Sequence, residues 1–142
     1  MDHRLRSRLR ERLAQERGYY RYPAGMRTRF ALVYPNTYFI GMSNLGIHIV
    51  YDLLNQRRDT ACERVFLPDR TELPRYERTQ TPMMSVETQT PLADFAIIGF
   101  AVSFEMDYFN VVKMLLLSRI HPRADRRTER DPLIIAGGPC AT

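Results

Sequence analysis

Residues 95–103 read FAIIGFAVS, an apolar run interrupted only by Gly99 and closed by Ser103. A stretch so short and so apolar has no wet face, and it predicts a strand covered on both sides, as in the middle of a parallel sheet. Gly99 at its centre leaves room for a close neighbour. Downstream, residues 105–120 predict a helix with Phe109, Val112, Leu115 and Leu116 on its inner face. Its first turn carries Glu105 and Asp107, where a helix dipole favours negative charge. After a charged loop, residues 132–136 (PLIIA) predict another strand, ending in Gly137-Gly138-Pro139.

The same grammar holds upstream. Residues 30–34, FALVY, form a second apolar run that predicts a central strand adjacent to 95–103. A turn-rich segment, PNTYFIGMSN, leads from it to residues 45–56, which Ser43 or Asn44 can cap. There Ile49, Val50, Leu53 and Leu54 recur at helical spacing and predict the buried face, with His48, Asp52 and Asn55 on the wetter one. Residues 63–67 predict a further strand. Residues 68–91 are punctuated by prolines and show no strong period, and 83–86 fits a strand or a loop with one helical turn. Ahead of all this, residues 2–17 predict a helix on which Leu5, Leu9 and Leu13 make a single narrow stripe among arginines. So thin a stripe is expected to pack on another domain or on missing chain, with Tyr19, Tyr20, Tyr22, Pro23 and Gly25 forming a linker.

The order strand, helix, strand, crossover, strand, helix, strand is that of an α/β fold with a doubly wound, mostly parallel sheet. Residues 1–28 are expected to form an arginine-rich arm and residues 29–142 the α/β domain. The apolar strand 132–136 lacks a helix to cover it, so the sheet is expected to be incomplete at its C-terminal end.

Composition narrows the class. The chain has 142 residues, and its 44% hydrophobic content is enough for one domain with a core. No segment approaches the roughly 18 consecutive apolar residues of a membrane span, and the arginine-rich start is unlike a signal peptide. The expectation is a cytoplasmic protein with no membrane partner. Its net charge of +5 is concentrated near Arg4, Arg6, Arg8, Arg10, Arg12 and Arg17. Cys62 and Cys140 match no metal-ligand spacing and are expected to be reduced thiols.

In an open α/β sheet, ligands bind beyond the carboxyl ends of the strands, where strand order reverses. Three loops meet that condition: residues 35–44, 103–107 and 137–142. The first carries Gly41, with Gly46 just beyond the helix cap; these glycines serve either an anion at a helix N-terminus or only a tight turn. Gly137 and Gly138 let the backbone pass close to a ligand, or simply turn the chain. Glu105 is a candidate polar contact. Neither GxGxxG nor GxxxxGK[ST] occurs, so nicotinamide dinucleotides and nucleoside triphosphates are not indicated.

Together the segments YPNTYFIGMSNLG, CERVFLP, PLADFAIIGFAVSFEMDYFNV and PLIIAGGPCAT resemble the N-terminal region of cobalamin-binding-domain-containing radical S-adenosylmethionine (SAM) proteins. The resemblance covers about residues 30–142. It implies a Rossmann-like or flavodoxin-like cobalamin-binding domain ahead of a radical SAM domain, which would be this chain's partner. It also implies a cofactor site from Pro35, Gly41, Met42, Ser43, Asn44 and Gly46 in the first loop, Ser103 and Glu105 in the second, and Gly137, Gly138 and Pro139 in the third. SAM and a [4Fe-4S] cluster belong, on this reading, to the downstream domain. Two departures stand out. The DxHxxG motif that gives cobalt a histidine is missing, and so is the CxxxCxxC motif of the radical SAM cluster. Cobalamin would then bind without a protein histidine, and this chain alone is expected not to cleave SAM. Two alternatives are an RNA-binding module, its arginines neutralising phosphates and its tyrosines stacking on bases, and a flavodoxin-like domain for FMN, against which the lack of a Ser/Thr-rich phosphate loop counts.

Overall fold

The computed structural model describes residues 2–141. Four strands form one all-parallel sheet in the order β2-β1-β3-β4: β1 Thr28–Tyr34, β2 Thr60–Phe66, β3 Ile97–Ala101 and β4 Leu133–Gly137. FALVY and FAIIGFAVS are adjacent central strands, as expected. Strand order runs outward from β1 to β2, then returns across it to β3 and β4. Right-handed crossovers therefore put the helix between β1 and β2 on one face and the helix between β3 and β4 on the other. These are α3 (Leu45–Gln56) and α5 (Asp107–Leu117). The fold is α/β, of the Rossmann or flavodoxin type.

The N-terminal helix α1 (His3–Ala14) does not pack where the sequence suggests. Asp2 caps it by accepting from the Arg4 and Leu5 amides, and Leu5, Leu9 and Leu13 are buried in this chain's own core. They share that core with Tyr76 of α4 (Leu73–Thr79), Met83, Met84 and Val86, which line one small cavity together with Leu9. A thin stripe suffices because the polar flanks are tied down as well. Arg8 pairs with Glu72 at 3.1 Å, Asp2 with Arg75 at 2.7 Å, and Arg6 and Arg10 donate to Gln89.

Helix α4 is absent from the sequence expectation, and the 83–86 segment makes only an isolated bridge, Met84 to Pro91. Its role is to close the outer edge of β2. The Val86 amide donates to the Arg64 carbonyl at 2.9 Å, and the Glu87 carboxylate accepts from the Arg64 amide at 2.9 Å. Asn55 of α3 does the same one pair earlier, donating to the Cys62 carbonyl and accepting from the Cys62 amide. Three residues thus satisfy an edge that a neighbouring strand would otherwise fill.

That task explains why α3 is turned relative to expectation. Ile47, Tyr51 and Asn55 face inward, while Ile49, Val50 and Leu53 are exposed. Of the residues assigned to the wet face, Asn55 is one the core needs, and Tyr51 beside it donates to buried Glu87. Helix α5 is turned as well: Met114, Leu115 and Asp107 are buried, whereas Phe109, Val112 and Leu116 are exposed.

At the centre of the sheet, a Cβ on Gly99 would lie 2.7 Å from the Phe30 ring, which occupies that space. Gly99→Val is therefore expected to destabilise by about 1 kcal/mol, the low end for overpacking, because the ring can swing into open space beside it. A thermal melt of the variant checks this, and an unchanged transition would mean that the ring does not depend on the glycine.

Candidate functional site

On the α3 face of the sheet the helix covers β1 and β2 but leaves β3 and β4 bare. The result is an apolar trough of about 470 Å³ that opens at the carboxyl ends of the strands. Its floor is Leu32, Gly99 and Ile135, which are in register across β1, β3 and β4, and one wall is Val50 of α3. Concave, mostly apolar sites with a few polar groups at the rim are the usual form of small-molecule pockets.

Six of the sequence-predicted residues meet here: Asn44, Gly46, Ser103, Gly137, Gly138 and Pro139. Asn44 caps α3 by accepting from the Ile47 amide at 3.1 Å, which places Gly46 at the rim. A Cβ on Gly137 would meet nothing within 4 Å, so this backbone is bare toward the trough. Gly138 differs: its φ is +115°, and a Cβ there would strike the Val102 backbone. It is a turn residue that sets the path of the last loop.

The other five lie elsewhere. The 35–44 loop contains a short helix, α2 (Tyr38–Met42), and Gly41 packs beneath the Phe66 and Tyr34 rings, a packing role that leaves no room for a ligand. The Met42 carbonyl meets a ring nitrogen of His48 at 2.8 Å, and the Ser43 hydroxyl donates to the Phe39 carbonyl. Neither residue lines the trough, nor does Pro35. Glu105 is exposed and sits ahead of α5, which starts at Asp107. Buried Asp107 accepts from the Phe104 amide at 3.0 Å and, more weakly, from that of Ser103. Sequence reasoning missed Leu32, Val50 and Ile135, because which face of a strand lies bare depends on where the helix settles.

No histidine lines the trough. His48 is engaged by Met42, and the ring of His121 accepts from the Arg123 amide. Among the described residues no group of three or more His, Cys, Asp or Glu is placed to hold a metal ion. Burial pushes the Cys62 thiol far above its ordinary range, which keeps it protonated and inert. Among the described residues no helix is long and apolar enough to cross a membrane.

Comparison with known proteins fits this picture. An uncharacterized protein of Methanocaldococcus jannaschii is 26% identical over 110 residues, covering 78% of this chain and 19% of that protein. The chain therefore spans about a fifth of the length of that relative. No solved structure gives a significant match. The sequence model for the N-terminal region of radical SAM proteins matches residues 46–142, well over half the chain, from the first turn of α3 through the last loop. This chain belongs to the family of radical SAM protein N-terminal domains.

Proposed function

We propose that this chain is the cofactor-holding domain of a longer radical SAM protein and that its ligand is a cobalamin, bound without a protein histidine on cobalt. The observation that carries the reading is the trough, an apolar cleft whose mouth is bordered by Gly46, Gly137 and Ser103 at the strand ends. The residues present fit such a ligand. Bare backbone at Gly137 permits close approach to a broad ring, Leu32, Val50 and Ile135 offer apolar contact, and Asn44 and Ser103 supply polar groups at the rim. When bound, cobalamin would supply methyl-transfer or one-electron chemistry. This chain's part is to hold it and shield one side from water. SAM and an iron-sulfur cluster would be held by a further domain of the same protein, its partner.

Titrating the chain with hydroxocobalamin and following the visible spectrum tests the reading. Saturable binding that survives His48→Ala is expected. An imidazole-cobalt spectrum would overturn the histidine-free mode, and the absence of binding would overturn the cobalamin. Parallel titration with FMN checks the flavin alternative. RNA binding by the arm is a weaker proposal, because Arg6, Arg8 and Arg10 are engaged by Gln89 and Glu72 and Arg12 lies over the Tyr38 ring. Steeply salt-dependent RNA binding that is lost with residues 1–22 would favour it.

A further inference from the structure

The first turn of α5 reaches the loops that follow β1, β3 and β4, the first of which borders the trough only through Asn44 at its far end. Strand β3 lies between β1 and β4, so the helix that follows it starts between the loops of its two neighbours. Three side chains use that position. Asp107 turns back on its own loop and accepts from the Ser103 and Phe104 amides. Tyr108 donates its hydroxyl to the Cys140 carbonyl at 2.6 Å, in the loop after β4. Asn110 donates from Nδ2 to the Pro35 carbonyl at 2.9 Å, in the loop after β1. The Cys140 thiol also lies 3.4 Å from the Ser103 carbonyl, joining the second loop to the third. All of these bonds end on backbone groups, so they fix where the chain runs whatever side chains the loops carry.

We infer that Asp107, Tyr108 and Asn110 are positioning residues that hold the three loops in one register, so that the mouth is formed before the ligand arrives. This rests on the cofactor-holding reading for its purpose, but not for its geometry. A preformed mouth spares the ligand the entropy of ordering three loops, so losing one tie weakens binding without any lost contact to the ligand. The helix itself does not depend on the ties: Tyr108 is substantially exposed and Asn110 is half-buried.

The test uses Tyr108→Phe and Asn110→Leu in the 142-residue chain, with two measurements. Amide hydrogen exchange without ligand is expected to quicken at residues 138, 140 and 141 for the first variant and at 36 and 37 for the second. Exchange within α5 and the melting temperature should stay near wild type. Hydroxocobalamin affinity is expected to fall about tenfold in each variant, the size of one hydrogen bond's net contribution, and about a hundredfold in the double variant if the ties act independently. Exchange that rises throughout the domain, or in neither loop, would overturn the positioning role even if wild type binds the ligand. A wild type that binds no cobalamin would overturn the cofactor reading, while the exchange pattern still decides whether the ties hold the loops.

Discussion

Replacing Glu87 with leucine is expected to cost roughly 3–5 kcal/mol of unfolding free energy, the scale for breaking a buried ion pair by removing one partner. Glu87 has no solvent exposure and serves three donors: the Arg64 amide, the Arg64 guanidinium at 3.1 Å and the Tyr51 hydroxyl at 3.1 Å. Burial raises its carboxyl above the usual range, while Arg64 pulls the other way. With leucine in its place Arg64 stays buried, and Glu16 at 2.8 Å is its remaining carboxylate. Its Nη2 already lacks a hydrogen-bond partner among the described residues. The melting temperature should drop by on the order of 10 °C. In Arg64→Met/Glu87→Leu much of the loss should return, because the stranded charge is gone and Glu16, nearer the surface, can be rehydrated. Chemical denaturation of both variants checks this. A single variant within about 1 kcal/mol of wild type would mean that the network contributes little.

The glycine pair at the end of β4 should separate folding from binding. Gly138→Val places a branched side chain at φ +115° and drives its Cβ into the Val102 backbone, which has no flexible end to yield. A loss on the order of 3 kcal/mol is expected, together with distortion of the loop that the Cys140 amide and thiol anchor to Val102 and Ser103. Gly137→Val meets nothing, so stability should stay within about 0.5 kcal/mol of wild type. Its side chain would nevertheless enter the trough and is expected to weaken hydroxocobalamin binding at least tenfold. Melts and titrations of the two variants give opposite patterns if the trough is the site. Full-strength binding by Gly137→Val would place the ligand elsewhere.

The strands were legible because FALVY and FAIIGFAVS are apolar on both faces, and a run without a wet face leaves little choice of environment. The faces of the helices were not. Apolar counting favours Ile49, Val50 and Leu53 as the inner side of α3, yet the core takes Tyr51 and Asn55, whose hydrogen bonds to Glu87 and Cys62 close the sheet's edge. No period in the sequence marks a side chain that substitutes for a strand. The arm was misjudged for a related reason, since its arginines find partners on Glu72 and Gln89, more than sixty positions away. At the site, loop rules located the glycines and the cap, but not the bare strand face, and they could not tell Gly41, which is packed under Phe66, from Gly137, which is open.

The two borders of the sheet are unlike, and this gives its construction a direction. Beside β2, Asn55, Val86 and Glu87 occupy the backbone groups that another strand would need. Beside β4, the backbone groups of Ile134 and Ala136 point away from β3, with Leu133 and Ile135 exposed on the trough face. From β1 through β3 to β4, position in the chain and position in the sheet advance together. A polypeptide emerging from the ribosome would have its blocked border complete once residue 87 is out. From then on each new strand has a single place to join, and mispairing at the first-made end is ruled out before the later parts exist.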